Sequence, residues 1–171
     1  MAFDEQKFIK YFYALKTMNV YHKELFGDDK DFEVPQLFSQ EIVKHFLDLQ
    51  DYKGDGKIFD AEKDGQYYEI KATSSKSGTT TLNFASKPNV LVWVRFDFAK
   101  EEFVIQQFDE FDKVNTINLF YTSDALKNRK SKVDPFTTNT RNTINLRSVN
   151  WKIQNTYKVS ASIKGSGDQK E

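Results

Sequence analysis

Residues 57–75 read KIFDAEKDGQYYEIKATSS, two runs of alternating apolar and polar residues on either side of Asp64-Gly65. Alternation with period two marks a half-buried strand, so Ile58 to Glu62 and Tyr67 to Thr73 are expected as two strands. Asp-Gly tolerates the positive φ angles of a two-residue type I′ turn, which joins the strands as a hairpin. That turn sets the register: Lys63 faces Gln66, Glu62 faces Tyr67, Ala61 faces Tyr68 and Asp60 faces Glu69. Directly opposed residues hold their β-carbons about 5 Å apart on one face of the sheet. Lys71, two residues past Glu69, points to that same face. The hairpin is therefore expected to gather two carboxylates and an ammonium into one patch, a composition suited to a divalent metal with an amine beside it.

The like charges of Asp60 and Glu69 sharpen this reading. Opposed across a plain surface hairpin they are destabilising, so a cation or a functional role is expected to compensate. The acid-x-Lys pattern alone means little, because it recurs at Glu5-Lys7, Asp28-Lys30, Asp51-Lys53, Asp55-Lys57 and Asp168-Lys170. Glu69-Lys71 differs in falling on a strand, with an apolar residue between and an acid across a turn. Asp51 to Glu62 offers a competing pattern, an EF-hand-like calcium loop with Asp51, Asp55 and Glu62 at positions one, five and twelve and Gly56 at six. Lys53 at position three and Phe59 at position nine are poor ligands, and a turn stands where the exit helix should begin. Asp55 remains an alternative first acid for the hairpin site, on a glycine-bounded loop.

The words Asp60-Ala61, Gly65-Gln66 and Tyr68-Glu69-Ile70-Lys71 resemble the active-site hairpin of the PD-(D/E)xK nucleases, and of the PvuII-like type II restriction endonucleases in particular. The resemblance is close from Phe59 to Lys71 and loose through Phe98. It implies an Mg²⁺-dependent endodeoxyribonuclease that leaves 5′-phosphate and 3′-hydroxyl ends. By that resemblance Asp60, Glu69 and the backbone carbonyl of Ile70 hold the metal, while Lys71 orients or deprotonates the attacking water. Glu41, on a helix leading toward the site, matches the helix acid that some members add; a solvated helix face is its other reading. The implied fold is α+β of the restriction-endonuclease kind, a central mixed sheet of about five strands with helices packed on it and an N-terminal helical region for dimerisation. One departure stands out: those enzymes carry a base-reading histidine segment after the catalytic strand, where this chain has Thr79-Thr80-Thr81-Leu82-Asn83.

Composition bounds these expectations. A chain of 171 residues is one domain of ordinary size. It divides into a helical part (1–34), a catalytic core (35–126), a DNA-contacting and closing segment (127–163) and a tail (164–171). The 16 phenylalanines point to an aromatic-rich core, and the absence of cysteine excludes disulfides and thiolate metal sites. Lys plus Arg equals Asp plus Glu at 25 each, which disfavours a protein that lives on non-specific attraction to nucleic acid. Charge is segregated, however: acids cluster before residue 64 and 127–147 is basic. No apolar run reaches the length of a membrane span and MAFDEQKF lacks the apolar core of a signal peptide, so a cytoplasmic protein is expected.

Asp4 to Asn19 places Phe8, Tyr11, Phe12, Leu15 and Met18 at helical spacing, with Asp4 as cap. That wide stripe suits either core packing or a second copy of the chain. Tyr21 to Phe26 continues or repeats the helix before Gly27. Pro35 opens a second helix, Gln36 to about Leu49, with Leu37, Phe38, Ile42, Val43, Phe46 and Leu47 inside. His22 and His45 fall on these helices as ordinary surface or core residues. Asn89 to Phe98 reads as a central strand buried on both faces, and Phe103 to Phe108 as its hairpin partner. Phe111 to Tyr121 is ambiguous, Ser123 to Lys127 suits a short helix, and Lys127 to Asn145 reads as loop. Asn150 to Ile163 closes as one strand or two, and Lys164 to Glu171 as a frayed tail.

The polar stretch 74–87 is the expected base-reading element, through Ser74, Ser75, Lys76, Ser77, Thr79, Thr80, Thr81, Asn83 and Lys87. Lys127, Arg129, Lys130, Lys132, Arg141 and Arg147 form a second candidate DNA surface; polar loop and solvated charge run are the plainer readings of the two stretches. The whole points to a homodimeric, Mg²⁺-dependent type II restriction endonuclease acting on double-stranded DNA at a short palindrome. The alternatives are a junction-resolvase-like repair nuclease of the same fold, or a non-catalytic DNA- or Ca²⁺-binding module.

Overall fold

The computed structural model describes residues 3–28, 30, 32–54, 59–74, 78–83, 88–109, 141–149 and 151–169. Helix α1 spans Glu5–Phe26 as one piece. Asp4 caps it by accepting the backbone N–H of Lys7 at 3.0 Å, and Gly27 ends it at φ 96°. Helix α2 runs Gln36–Leu47 behind Pro35, shorter than expected because Asp48 turns left-handed at φ 54° and closes it.

Among the described residues eight strands follow: β1 Ala61–Lys63, β2 Gln66–Thr73, β3 Thr79–Asn83, β4 Val90–Asp97, β5 Glu102–Phe108, β6 Arg141–Asn145, β7 Ile153–Val159 and β8 Ile163–Gln169. Six form one mixed sheet in the order β1-β2-β4-β5-β7-β8; β2 and β4 are parallel and every other neighbouring pair is antiparallel. The architecture is α+β, with a larger sheet than the five strands expected. The extra member is β8, in the segment expected to fray. Gly165 lies opposite Tyr157, and a Cβ there would meet the tyrosine ring at 3.0 Å, so the glycine lets an aromatic fold down over the last strand.

Strand β4 sits inside the sheet and is buried on both faces, as its apolar run implies. Val92, Val94, Phe96 and Phe98 face the helices, joining Phe8, Phe12, Ile42, Val43, Phe103 and Ile105 in the main core. Phe8 stacks on Phe38 with centroids 4.7 Å apart. Each such side chain withdrawn from water contributes about 1.5–3 kcal/mol. Leu37, expected inside, is 76% exposed, so α2 buries only the side carrying Ser39, Ile42 and Val43. Of the α1 stripe, Phe8, Phe12 and Leu15 are buried while Tyr11 and Met18 stay exposed.

The other face of β4 presents Leu91, Trp93 and Arg95. A separate two-stranded ribbon pairs β3 with β6, and Gly78 at its start closes on the Trp93 ring, where an added Cβ would come within 3.0 Å. Leu82 and Leu146 are fully buried, Trp151 lies 5.8 Å from Trp93, and Leu146 N–H donates to Gly78 O at 3.0 Å. Both ribbon strands fall in stretches expected to be loop. The other segments left open by the sequence, 111–121 and 123–140, lie outside the described residues. Among the described residues no helix is long and apolar enough to cross a membrane.

Candidate functional site

The hairpin forms as its turn dictates. Asp64 and Gly65 have φ 51° and 76°, and the ladder pairs Lys63 with Gln66, Glu62 with Tyr67 and Ala61 with Tyr68. The next rung, Asp60 against Glu69, is not part of the ladder. Instead Asp60 bends away at the end of β1, its N–H donating to Tyr68 O at 3.0 Å. Its carboxylate swings into the open edge of β2, where Oδ2 accepts the backbone N–H of Ile70 at 2.7 Å. Because β1 is only three residues long, that N–H has no strand partner, and the side chain supplies one. Oδ1 accepts from Gln40 Nε2 at 2.5 Å, which ties the edge to α2.

Glu69 and Lys71 lie on the ribbon side of β2, beside Leu91 and Trp93 of the parallel neighbour. Their side chains form an ion pair at 2.5 Å and are 14% and 22% exposed. Lys71 also acts electrostatically on Asp60, so the three groups read from the sequence are neighbours. They are, however, arranged around a strand edge and not side by side on one rung. Lys71 is thus paired with Glu69, and its charge also favours the ionised form of Asp60. Burial nevertheless raises the Asp60 pKa above the ordinary carboxylate value, outweighing the Ile70 N–H, Lys71, Gln40 and Lys44.

Glu41 is adjacent to Gln40 on α2, and its carboxylate is paired with Lys44. Lys44 also holds Asp51 at 2.7 Å; burial lowers its pKa, but the two carboxylates win and raise it. Asp51, the first acid of the EF-hand-like pattern, is thereby committed to an ion pair, and residues 55–58 of that loop lie outside the described residues. Gln40 and Lys44, one helical turn apart, face the hairpin edge. No motif marks them in the sequence; only the docking of α2 on β2 brings them there. Tyr67 continues the face of Glu69 and stacks on Phe59 at 4.6 Å, with Tyr52 edge-on to both. These rings wall the site toward the turn.

Which groups here suit a metal follows from donor chemistry. Asp60 and Glu69 offer hard carboxylate oxygens. In a strand the N–H and C=O of one residue face the same neighbour, so the Ile70 carbonyl looks out of the edge that Asp60 occupies. Two carboxylates and a carbonyl match the oxygen preference of Mg²⁺, which keeps several waters. Among the described residues no three His, Asp or Glu side chains converge.

Of the expected DNA-reading residues, Ser74 donates its hydroxyl to Phe32 O. Thr79, Thr80, Thr81 and Asn83 form β3, with Thr81 exposed and Thr80 half-buried. Arg141, distant in sequence, is in register with Asn83 on β6, so the ribbon joins the two candidate segments. Ser75, Lys76, Ser77, Lys87, Lys127, Arg129, Lys130 and Lys132 lie outside the described residues. Arg147 is exposed in a 3₁₀ turn after β6. Compared with protein-family models, with curated proteins and with solved structures, the chain matches none.

Proposed function

We propose that this chain is an Mg²⁺-dependent endonuclease of the PD-(D/E)xK kind, working as a homodimeric type II restriction enzyme on a short palindromic site in double-stranded DNA. The observation that carries the reading is the grouping of Asp60, the Ile70 backbone and the Glu69–Lys71 pair along the edge of β2 that no strand covers beyond β1. Phosphodiester hydrolysis needs a positioned water, a proton acceptor and neutralisation of charge developing on the phosphoryl oxygens. When bound, Mg²⁺ supplies Lewis acidity and a more acidic water. Asp60 and Glu69 hold it, with the Ile70 carbonyl. Gln40 fixes the Asp60 carboxylate through Oδ1, so the ligand is oriented before anything binds. With Glu69 committed to the ion, Lys71 would orient the attacking water or take its proton, and would face the phosphoryl oxygens. The products carry 5′-phosphate and 3′-hydroxyl ends.

The β3–β6 ribbon supports a DNA target, because the major groove admits a two-stranded ribbon and this one lies on the same face as Glu69 and Lys71. A second copy supports double-strand cutting. Tyr11, Met18, Tyr21 and Leu25 are exposed at spacings of seven, three and four residues along α1, an apolar stripe that a partner helix would cover. The test is digestion of plasmid DNA with Mg²⁺. Discrete fragments from wild type and none from Lys71→Ala are expected, with duplex binding retained by the variant. Undiminished cutting by Lys71→Ala refutes the assignment; nicking confined to branched DNA moves the reading to a junction-directed enzyme.

A further inference from the structure

Where β2 and β4 run out, past Thr73 and Asp97, lies a cavity of about 650 Å³, within the size range of ligand sites. Its walls carry five cationic side chains against two carboxylates. Two of the cations are engaged: Lys16 with Glu101 at 2.6 Å, and Lys100 with Asp97 and Glu102 at 3.4 and 3.8 Å. Arg95 and Arg147 make no ion pair among the described residues. The Arg95 guanidinium lies over the Trp93 ring, 5.0 Å from its centroid, and its buried Nε has no hydrogen-bond partner among the described residues. Arg147 reaches the same cavity from the turn after β6. Its stem rests on Gly78, where an added Cβ would come within 2.8 Å of Arg147 Cγ.

These two like charges are held together at a cost. Burial, and then the charge of Arg147, push Arg95 below the usual guanidinium range, and Glu102 and Asp97 offset only part of it. A planar fork of donors with an orphaned N–H, beside a second guanidinium, is the arrangement that an oxyanion with several acceptor oxygens satisfies. The position matters as well. Lys71 is in register with Trp93 and Thr73 with Arg95, so Arg95 sits one strand over and two residues along from Lys71, on its face of the sheet. Strand geometry makes that about 8 Å. Successive phosphates of one DNA strand rise about 3.4 Å along the axis.

We propose that Arg95 and Arg147 form a phosphate seat, occupied by a backbone phosphate of duplex DNA one or two nucleotides from the bond that is cut. This rests on the nuclease reading, and the seat shares its chemistry with free phosphate, so the test separates all three. Arg147→Gln is the primary variant, since Arg147 is exposed, with Arg147→Lys as the conservative partner. Duplex affinity is measured against salt in chelated buffer, and thermal stability against inorganic phosphate at matched ionic strength. The expected result is weaker duplex binding for Arg147→Gln, on the order of tenfold at low salt. Its log–log salt slope should be shallower by about 0.9, one phosphate contact. Phosphate should stabilise wild type more than Arg147→Gln, with Arg147→Lys intermediate in both assays. Unchanged affinity, salt slope and phosphate response in Arg147→Gln overturn the seat while leaving the nuclease reading standing. A lost phosphate response with unchanged duplex binding makes it a free-phosphate site and overturns the DNA assignment. Wild type that neither binds nor cuts duplex overturns the nuclease reading and the DNA assignment together, whatever phosphate does.

Discussion

Replacing Asp60 by Asn separates the two things this residue does. Both hydrogen bonds survive the change: the amide oxygen accepts from Ile70 N–H, and the amide nitrogen donates to Gln40 once the Gln40 amide reverses its ends. A neutral acceptor is weaker than an ionised one by about 1 kcal/mol per bond. Against that stands the relief of burying a charge. The raised pKa of Asp60 says which wins, because burial already outweighs every favourable partner of the carboxylate, Lys71 included. Neutralisation therefore stabilises the metal-free fold at pH 7. Asp60→Asn is therefore expected to melt above wild type in chelated buffer. With Mg²⁺ the order inverts: ligand at a hundredfold excess over Kd stabilises by about 2.7 kcal/mol, a shift of about 5–10 °C that wild type shows and the variant lacks. Differential scanning fluorimetry with and without Mg²⁺, run beside plasmid cleavage, reads all of this. A variant several degrees less stable without metal would make Asp60 a charged strand-edge cap. A variant that keeps the Mg²⁺ shift and cuts DNA would remove it from the catalytic centre.

Other outcomes test the frame around the site. A Cβ at Gly65 would meet nothing within 4 Å, so Gly65→Ala costs backbone strain at φ 76°, about 1–3 kcal/mol; chemical denaturation reads the loss, and cleavage should fall with it as the hairpin loosens. The Lys16 hydrogen bond holds the Glu101 pKa below its ordinary value, so the stability this pair adds is present at neutral pH and lost as pH falls through the lowered value. Glu101→Gln should accordingly lower Tm at pH 7 and match wild type once the pH is below the lowered value; equal Tm at both would show the contact to be idle. Met18→Glu puts a charge in the exposed stripe of α1 and should convert dimer to monomer by light scattering while leaving the monomer's circular dichroism intact; a dimer that persists moves the interface elsewhere.

The chain's local code settled the elements whose physics is local. Asp64-Gly65 admits one register, because only that turn accommodates two successive positive φ angles, and Ala61, Glu62 and Lys63 pair as it requires. The apolar run of Val90 to Val94 announced a strand covered on both faces, and Asp4 and Gly27 marked the ends of α1. Tertiary structure decided what depends on partners distant in sequence. β3 and β6 are polar, and become strands only by pairing across some sixty residues over Trp93; β8, with Gly165 and Gly167, is ordered by Tyr157 and its neighbours in β7. The candidate site divides the same way. Residue types and spacing pointed to Asp60, Glu69 and Lys71; Glu69 and Lys71 form an ion pair, and the expected Asp60–Glu69 rung is not part of the ladder. That Asp60 would leave its rung to cap Ile70 N–H follows from β1 stopping short, and that Gln40 would hold its other oxygen follows from where α2 docks. A hydrogen bond to an edge and a helix laid on a sheet are long-range contacts, whose free energy appears only once the chain has closed.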